Sequence, residues 1–366
     1  MKPASDILDA MTDEPGARES RIKTLAPLCQ DVEDEVLRDF VLRMDPEYFE
    51  RFQPEAIAHH IQLASRLTPD HPCELSVLDK QAGQSEVSIV AYDYFSEFAA
   101  ICGLLSAFGL NIEEGRIYTF AEASPSPLPR REAPSTTRRP KGRPGLSRKK
   151  IVDVFLVHPV DHTGFSSQQQ DTLRRTVTET IRLLDTGQFE EARQYVNRRL
   201  VERLGQQRSA FTGLLHTVQI TFDNSQSPTD TIMDIRSDDT PAFLYAFANA
   251  LAMRNIYITK AQFESDGAKL HDRFHVRNRY GKKLLDPADQ QQLRLTAVLI
   301  KQFTHALTWA PDPAKALESF DQFLALIVKD QGKKGKNQAL DFVSDKRTFP
   351  LLARLLGASD FLWEDF

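Results

Sequence analysis

The sequence predicts an α+β protein in which one strand–helix–strand–strand–helix pattern is written twice, with helical segments before and after. Short β-branched runs alternate with stretches whose apolar residues recur three and four apart. A strand followed by Asp leads into a helix twice, at Asp93 and at Asp239. The strands at 151–157 and 269–276 align without gaps, so Asp153, Phe155 and Val157 match Asp272, Phe274 and Val276.

Composition agrees with a globular chain. At 366 residues it should hold two or three compact units. It is 41% hydrophobic and 27% charged. No apolar run reaches the roughly 18 residues of a membrane span, and the polar, acidic start MKPASDILDAMTDEPG does not read as a secretion signal. Cys29, Cys73 and Cys102 are scattered and are expected to be buried free thiols in a reducing cytoplasm. The net charge of −5 hides nine Lys or Arg against one Glu between Arg130 and Lys150, leaving about −13 elsewhere.

The elements follow in order. Residues 1–20 are expected to be disordered. Leu37, Phe40, Val41 and Met44 mark an amphipathic helix ended by Pro46, and Pro54 opens a second through Ile57 and Ile61 to Leu67. Strand 86–92 leads through Asp93 into a helix bearing Phe98, Ile101, Leu105 and Phe108, closed by Gly109 in a left-handed cap. A strand follows from Ile112 to Phe120. Residues 121–149 then carry six prolines and the basic cluster, the pattern of a disordered insertion. Strand 151–157, a helix at 166–184 and a charged connector helix at 190–204 complete the first pattern.

The second pattern has strands at 217–222 and 231–236, a helix from Asp239-Thr240-Pro241, Asn255 where the first has Gly109, strands at 256–263 and 269–276, and a helix from Pro287 to about Trp309. The expected organisation is a disordered stretch 1–20, a helical segment 21–82, a first unit 83–204, a second unit 215–309, and a helical segment 310–366 leading to a further domain.

Catalytic signals are poor. Nucleotidyl transfer needs a G-S loop and a D-x-D metal pair, and neither occurs in the chain. His271-Asp272 falls in the repeated strand, where alternating exposure explains it. His59-His60 lies on a helix expected to be exposed. No catalytic residue, metal site or cofactor is expected. Asp93 and Asp239 are expected to cap their helices.

Several motifs carry a resemblance. Phe40, Arg43, Pro46 and Tyr48 fit F-x-x-R-x-x-P-x-Y, and Glu55, Ile57, Ala58 and His60 fit E-x-I-A-x-H. Asp223, Asn224 and Ser227 fit D-N-x-x-S, and Asp239 to Tyr245 follow D-R-P-G-L-L-Y. Over about residues 36–309 the chain resembles the regulatory end of bacterial PII uridylyltransferases, which carries tandem ACT domains. Its tail, 349–363, resembles the helical start of glutamine synthetase adenylyltransferases through L-x-R-L-x-G-x-S-x-F-L.

The resemblance implies two ferredoxin-like βαββαβ (ACT) units with antiparallel sheets, and amino-acid sensing, glutamine first, for a linked or partner nucleotidyltransferase in nitrogen control. In the family a Gly after Pro lets backbone N–H groups at the helix start meet a ligand carboxylate. Here Ala242 takes that place, and the first repeat reads Asp93-Tyr94-Phe95-Ser96-Glu97. The implied ligand-binding set is Asp239, Thr240, Ala242, Phe243, Leu244, Tyr257 and Ile258, with Asp93, Tyr94, Ser96, Asn111 and Ile112 in the first repeat. The chain is expected to be cytoplasmic, alone or as a homodimer, with neither membrane nor nucleic acid as partner, although K-G-R-P within the basic loop resembles an AT-hook. The alternative is a degenerate ACT scaffold with a purely structural or protein-docking role.

Overall fold

A computed structural model of the chain describes residues 15–122, 148–161, 164–204, 218–238, 242–266, 269–330 and 348–358. Most of the expected insertion at 121–149 lies outside the described residues. The chain divides into two compact units, one of residues 1–76, 88–93 and 118–153 and the other of 77–87, 94–117 and 154–366.

Among the described residues the strands are β1 (Cys73–Asp79), β2 (Ser85–Tyr92), β3 (Leu110–Thr119), β4 (Lys150–Pro159), β5 (Val218–Asp223), β6 (Thr231–Asp238), β7 (Ile256–Asp266) and β8 (Lys269–Asn278). They form one sheet in the order β1-β2-β4-β3-β7-β8-β6-β5. The two halves repeat the same order about the β3–β7 pair. Each draws its outer strand from before the strand–helix–strand–strand–helix run. The fold class is α+β, and the β5–β6, β6–β8 and β7–β8 pairs are antiparallel. β1 has no counterpart among the expected strands.

The first unit's earliest described element is α1 (Pro15–Leu25), whose first turns overlap the end of the stretch 1–20 expected to be disordered. Ile22 and Leu25 are buried and anchor its end. α2 (Asp34–Arg43) has Asp34 and Glu35 in its first turn and Arg43 in its last, the polarity that suits the helix dipole. Pro46 does more than end α2: it opens the short helix α3 (Pro46–Arg51), and Asp45 caps that helix by accepting the Glu47 N–H at 2.9 Å. α4 (Pro54–Arg66) also starts on proline and buries Ile57, Ala58, Ile61 and Leu63.

The motif residues of this unit build its core. Phe40 meets Phe120 edge-on at 5.2 Å, and Tyr48 meets Tyr118 at 5.3 Å. His60 is 2% exposed, which corrects the expectation of an exposed His59-His60 pair. Its Nδ1 lies 2.6 Å from the Tyr48 hydroxyl and its Nε2 3.1 Å from Ser88 Oγ. Burial, with the nearby His59 charge, lowers the His60 pKa to about 3. Arg43 and Lys150 share Asp39 at 3.1 and 2.7 Å, and all three side chains are at least mostly buried. Arg43 also donates to the carbonyls of Ala121 (2.8 Å) and Arg148 (3.3 Å), so one guanidinium holds both ends of the insertion.

In the second unit, α5 (Glu97–Ala107) packs on α6 (Ser167–Asp185), α7 (Phe189–Leu204) and α8 (Phe243–Met253). α8 packs on β7 and on α9 (Pro287–Ala306), and α10 (Pro313–Asp330) and α11 (Thr348–Leu356) pack together. Ser166 and Gln169 form a reciprocal capping box at the start of α6. Phe98 of α5 stacks on Phe263 of β7 at 5.6 Å, which in turn meets Phe274 of β8 at 5.5 Å. Gly115 on β3 is needed there, because a Cβ would run into the Phe263 ring.

Asp223, Asn224 and Ser227 of the D-N-x-x-S motif fasten the β5–β6 connection. Asp223 Oδ1 accepts the Ser225 N–H at 2.6 Å, Asn224 Oδ1 accepts the Thr231 hydroxyl at 2.6 Å, and Ser227 Oγ accepts the Asp230 N–H at 3.1 Å. His271 and Asp272 face opposite sides of β8: His271 contacts Asp234 at 3.2 Å, while Asp272 is 3% exposed.

Candidate functional site

The two helix starts share one backbone feature. Ser96, just before α5, has φ 64 and ψ 9, and Ala242, just before α8, has φ 62 and ψ 1. The first turn then closes alike, with Ala100 N–H donating to Ser96 O at 3.1 Å and Ala246 N–H to Ala242 O at 3.0 Å. A left-handed conformation strains a residue with a Cβ by roughly 1–2 kcal/mol. The helix ends match as well, with Gly109 at φ 69 and Asn255 at φ 55.

The surroundings of the two starts differ. In the first repeat, Glu97 is buried and its Oε2 accepts the Tyr94 N–H at 2.7 Å, so a carboxylate of the chain itself sits on the turn. The Tyr94 hydroxyl donates to Asp185 Oδ1 at 2.7 Å. In the second repeat the position of Glu97 is taken by Phe243, which is buried and stacked on Phe247 at 5.8 Å. Lys301 is fully buried beside it. Its ammonium lies 4.5 Å from the centre of the Phe243 ring and donates to Ser237 Oγ at 3.2 Å and to the Asp238 carbonyl.

Ser96 opens on a groove of about 190 Å³ between three helices. α5 contributes Ala99 and Ala100, α7 contributes Phe189, Arg193 and Val196, and α8 contributes Tyr245, Asn249 and Met253. Beside two of these lining residues, a Cβ on Gly103 would run into Val196 and lie 2.7 Å from the Tyr245 ring, so only glycine allows α5 this approach. The Tyr245 hydroxyl donates to Asn197 Oδ1 at 2.5 Å. Phe95, beside Ser96, meets Phe189 edge-on at 5.8 Å and Tyr257 at 6.2 Å.

The residues expected to bind ligand are therefore split. Ser96 lines the groove, and Tyr257, 45% exposed at the start of β7, reaches it through Phe95. Ala242 and Phe243 are buried, and Leu244 is half-buried. Ile258 pairs with Val276, and Asn111 and Ile112 are half-buried at the start of β3; none of the three lines the groove. Asp239 and Thr240 lie outside the described residues. Asp93 does not cap its helix as expected: Ser96 stands at the start of α5, with no side-chain cap, and Asp93 is exposed at the end of β2, where its N–H donates to the Lys149 carbonyl at 3.0 Å. Its charge, added to complete burial, pushes the Asp153 carboxyl well above the usual range.

The groove residues of α7 and α8 are absent from the expected set. Their sequence signal is the stripe Phe189, Ala192, Val196 at helical spacing on a helix whose charges otherwise mark it as a connector.

Residues 219–309 match the model of an ACR9-like, ACT-like domain. Over a longer stretch the chain is similar to bifunctional uridylyltransferase/uridylyl-removing enzymes. It is 23% identical to that of Azospirillum brasilense over 252 residues, which is 68% of this chain and 23% of that protein. It is 25% identical to that of Rhodospirillum rubrum over 218 residues, 59% of this chain and 19% of that protein. It is 24% identical to that of Caulobacter vibrioides over 254 residues, 69% and 23% respectively. The chain thus spans about a fifth to a quarter of the length of these curated relatives. No solved structure matches it. Among the described residues no helix is long and apolar enough to cross a membrane.

Proposed function

We propose that the chain is an amino-acid-sensing regulatory region of a nitrogen-control nucleotidyltransferase and performs no catalysis itself. The observation that carries this reading is the left-handed residue before each helix, Ser96 and Ala242, at the place where the resembling family keeps glycine. A strained conformation kept at two equivalent points suits a turn whose backbone N–H groups meet a ligand.

In this reading the ligand's carboxylate rests on the helix start at 239–244, beside Phe243 and Leu244, with Tyr257 and Ile258 completing the second repeat's site. Asp93, Tyr94, Ser96, Asn111 and Ile112 are the corresponding set in the first. Glutamine is the first choice, because the relatives are uridylyltransferases and the tail motif points to glutamine synthetase adenylyltransferases. Binding favours one arrangement of the two repeats, and a linked transferase in the cytoplasm responds through that difference in affinity. The two repeats can do this within one chain or within a homodimer.

Calorimetric titration of the full chain with glutamine and other amino acids tests the reading. A saturable heat that is lost in Ala242→Asp is expected; no heat and no melting shift at millimolar ligand would remove the sensing role. A second reading, a purely structural scaffold, is favoured by one observation: Glu97 already accepts the Tyr94 N–H at the first helix start. It predicts no ligand response, but loss of the parent enzyme's activity when the chain is deleted.

A further inference from the structure

We propose that Glu97 is a built-in occupant of the first helix start. Its carboxylate fills the place of an incoming anion, so the first repeat is closed, and the chain takes one ligand, at the second repeat, instead of two. This rests on the reading that the chain senses an amino acid, and it narrows that reading to the helix start at 239–244.

The two starts share a backbone and differ in charge. Ser96 and Ala242 hold the same left-handed conformation, φ 64 and 62, one residue ahead of their helices. Equal backbones alone would offer an anion equal N–H groups and equal helix dipoles. At the first start a carboxylate is already present. Glu97 is 6% exposed, and its Oε2 accepts the Tyr94 N–H at 2.7 Å. A hydrogen bond to an ionised acceptor is stronger than one to a neutral acceptor. A second carboxylate stands close by, where Asp185 Oδ1 accepts the Tyr94 hydroxyl at 2.7 Å. A ligand carboxylate arriving here would leave water to face two negative charges.

At the second start, Phe243 takes the position of Glu97 and brings no charge. The buried Lys301 ammonium lies 4.5 Å from the Phe243 ring centre and donates to Ser237 Oγ at 3.2 Å. Asp238 nearby is paired with Lys269. An anion at this start is drawn by Lys301, whereas Glu97 and Asp185 repel one at the first. Ser96 lines the groove between α5, α7 and α8, so a small anion can reach the first start once the Glu97 side chain is cut back.

Hydrogen exchange at the Tyr94 amide of the full chain, with acetate as the probe, tests this without any amino acid. In Glu97→Ala the amide should exchange faster than in the parent. Acetate should slow it again in a saturable way, and chloride at equal ionic strength should not. In the parent, acetate should leave the amide unchanged. A Glu97→Ala amide that acetate does not slow, or a parent amide that acetate slows as much, overturns the proposal. Glu97→Gln serves if the alanine variant does not fold. It keeps the shape but only a neutral acceptor, so its Tyr94 amide should exchange faster than the parent's, and an unchanged rate overturns the proposal. Calorimetric titration with glutamine then counts the sites. One per parent chain and two per Glu97→Ala chain are expected, and two per parent chain overturns the proposal. If no amino acid binds while acetate still protects the Glu97→Ala amide, the sensing reading fails and the built-in occupant stands.

Discussion

Ser96 and Ala242 hold the same left-handed backbone conformation, φ 64 and 62, one residue ahead of α5 and α8. Neither side chain is suited to it, so glycine should be accepted at both. The two sites differ in burial. Ser96→Gly relieves strain at a half-buried position and should stabilise the chain by roughly 0.5–1 kcal/mol. Ala242→Gly gains the same relief but loses a buried methyl worth about 0.8 kcal/mol, so it should be nearly neutral. Urea denaturation of the two variants measures both, and a clear loss in Ser96→Gly would contradict the strain argument.

Asp153 is fully buried, and neither carboxylate oxygen has a hydrogen-bond partner among the described residues. Burial first, and then the Asp93 charge, raise its pKa well above the ordinary value. Between the unfolded pKa of about 3.9 and the raised folded one, the folded chain holds a proton that the unfolded chain has lost. This contribution to stability is full below the unfolded pKa and declines as pH rises through the folded one. Asp153→Asn should therefore be more stable than the parent at pH near 7, with the difference shrinking as pH falls towards about 4. Equal stability across that range would refute the account of this residue.

His60 behaves in the opposite sense. Its pKa falls to about 3 through burial and the His59 charge, against about 6.5 unfolded. Its contribution is fully present above about 6.5 and is lost as pH falls towards the folded value, because the unfolded chain then binds the extra proton. His60→Gln should flatten that part of the stability profile. Tyr48→Phe removes the 2.6 Å hydrogen bond to His60 Nδ1 and should cost about 1–3 kcal/mol at neutral pH. Chemical denaturation from acid to neutral pH reads both effects.

Asp39 sits between two buried cations, Arg43 and Lys150. Asp39→Ala leaves both without that carboxylate and should cost about 3–5 kcal/mol. Replacing residues 122–147 by a short Gly-Ser link should cost far less, because Arg43 holds the carbonyls of Ala121 and Arg148 on one guanidinium. Thermal melting compares the two, and a shortened chain less stable than Asp39→Ala would contradict the role given to Arg43.

The repeat is legible in the sequence because each strand and helix carries its own period, and because Asp153, Phe155 and Val157 keep the same spacing as Asp272, Phe274 and Val276. The left-handed caps at Gly109 and Asn255 follow from residue type alone. β1 is not legible: Cys73–Asp79 lies just after Pro72 and alternates over few residues, and only pairing with β2 makes it a strand. His60 reads as exposed because its partners, Tyr48 and Ser88, lie 12 and 28 residues away. The groove escapes sequence reading for the same reason. Its walls come from segments near residues 96, 193 and 249, and no local period records that three helices leave space between them.

The central claim is that this chain responds to an amino acid, and its melting temperature across a panel of amino acids tests it most directly. A ligand of the folded state should add about 2.7 kcal/mol of stability at a hundred times its Kd, so melting should climb steadily with concentration for glutamine or another member of the panel. A flat melting temperature for every member of the panel would contradict it.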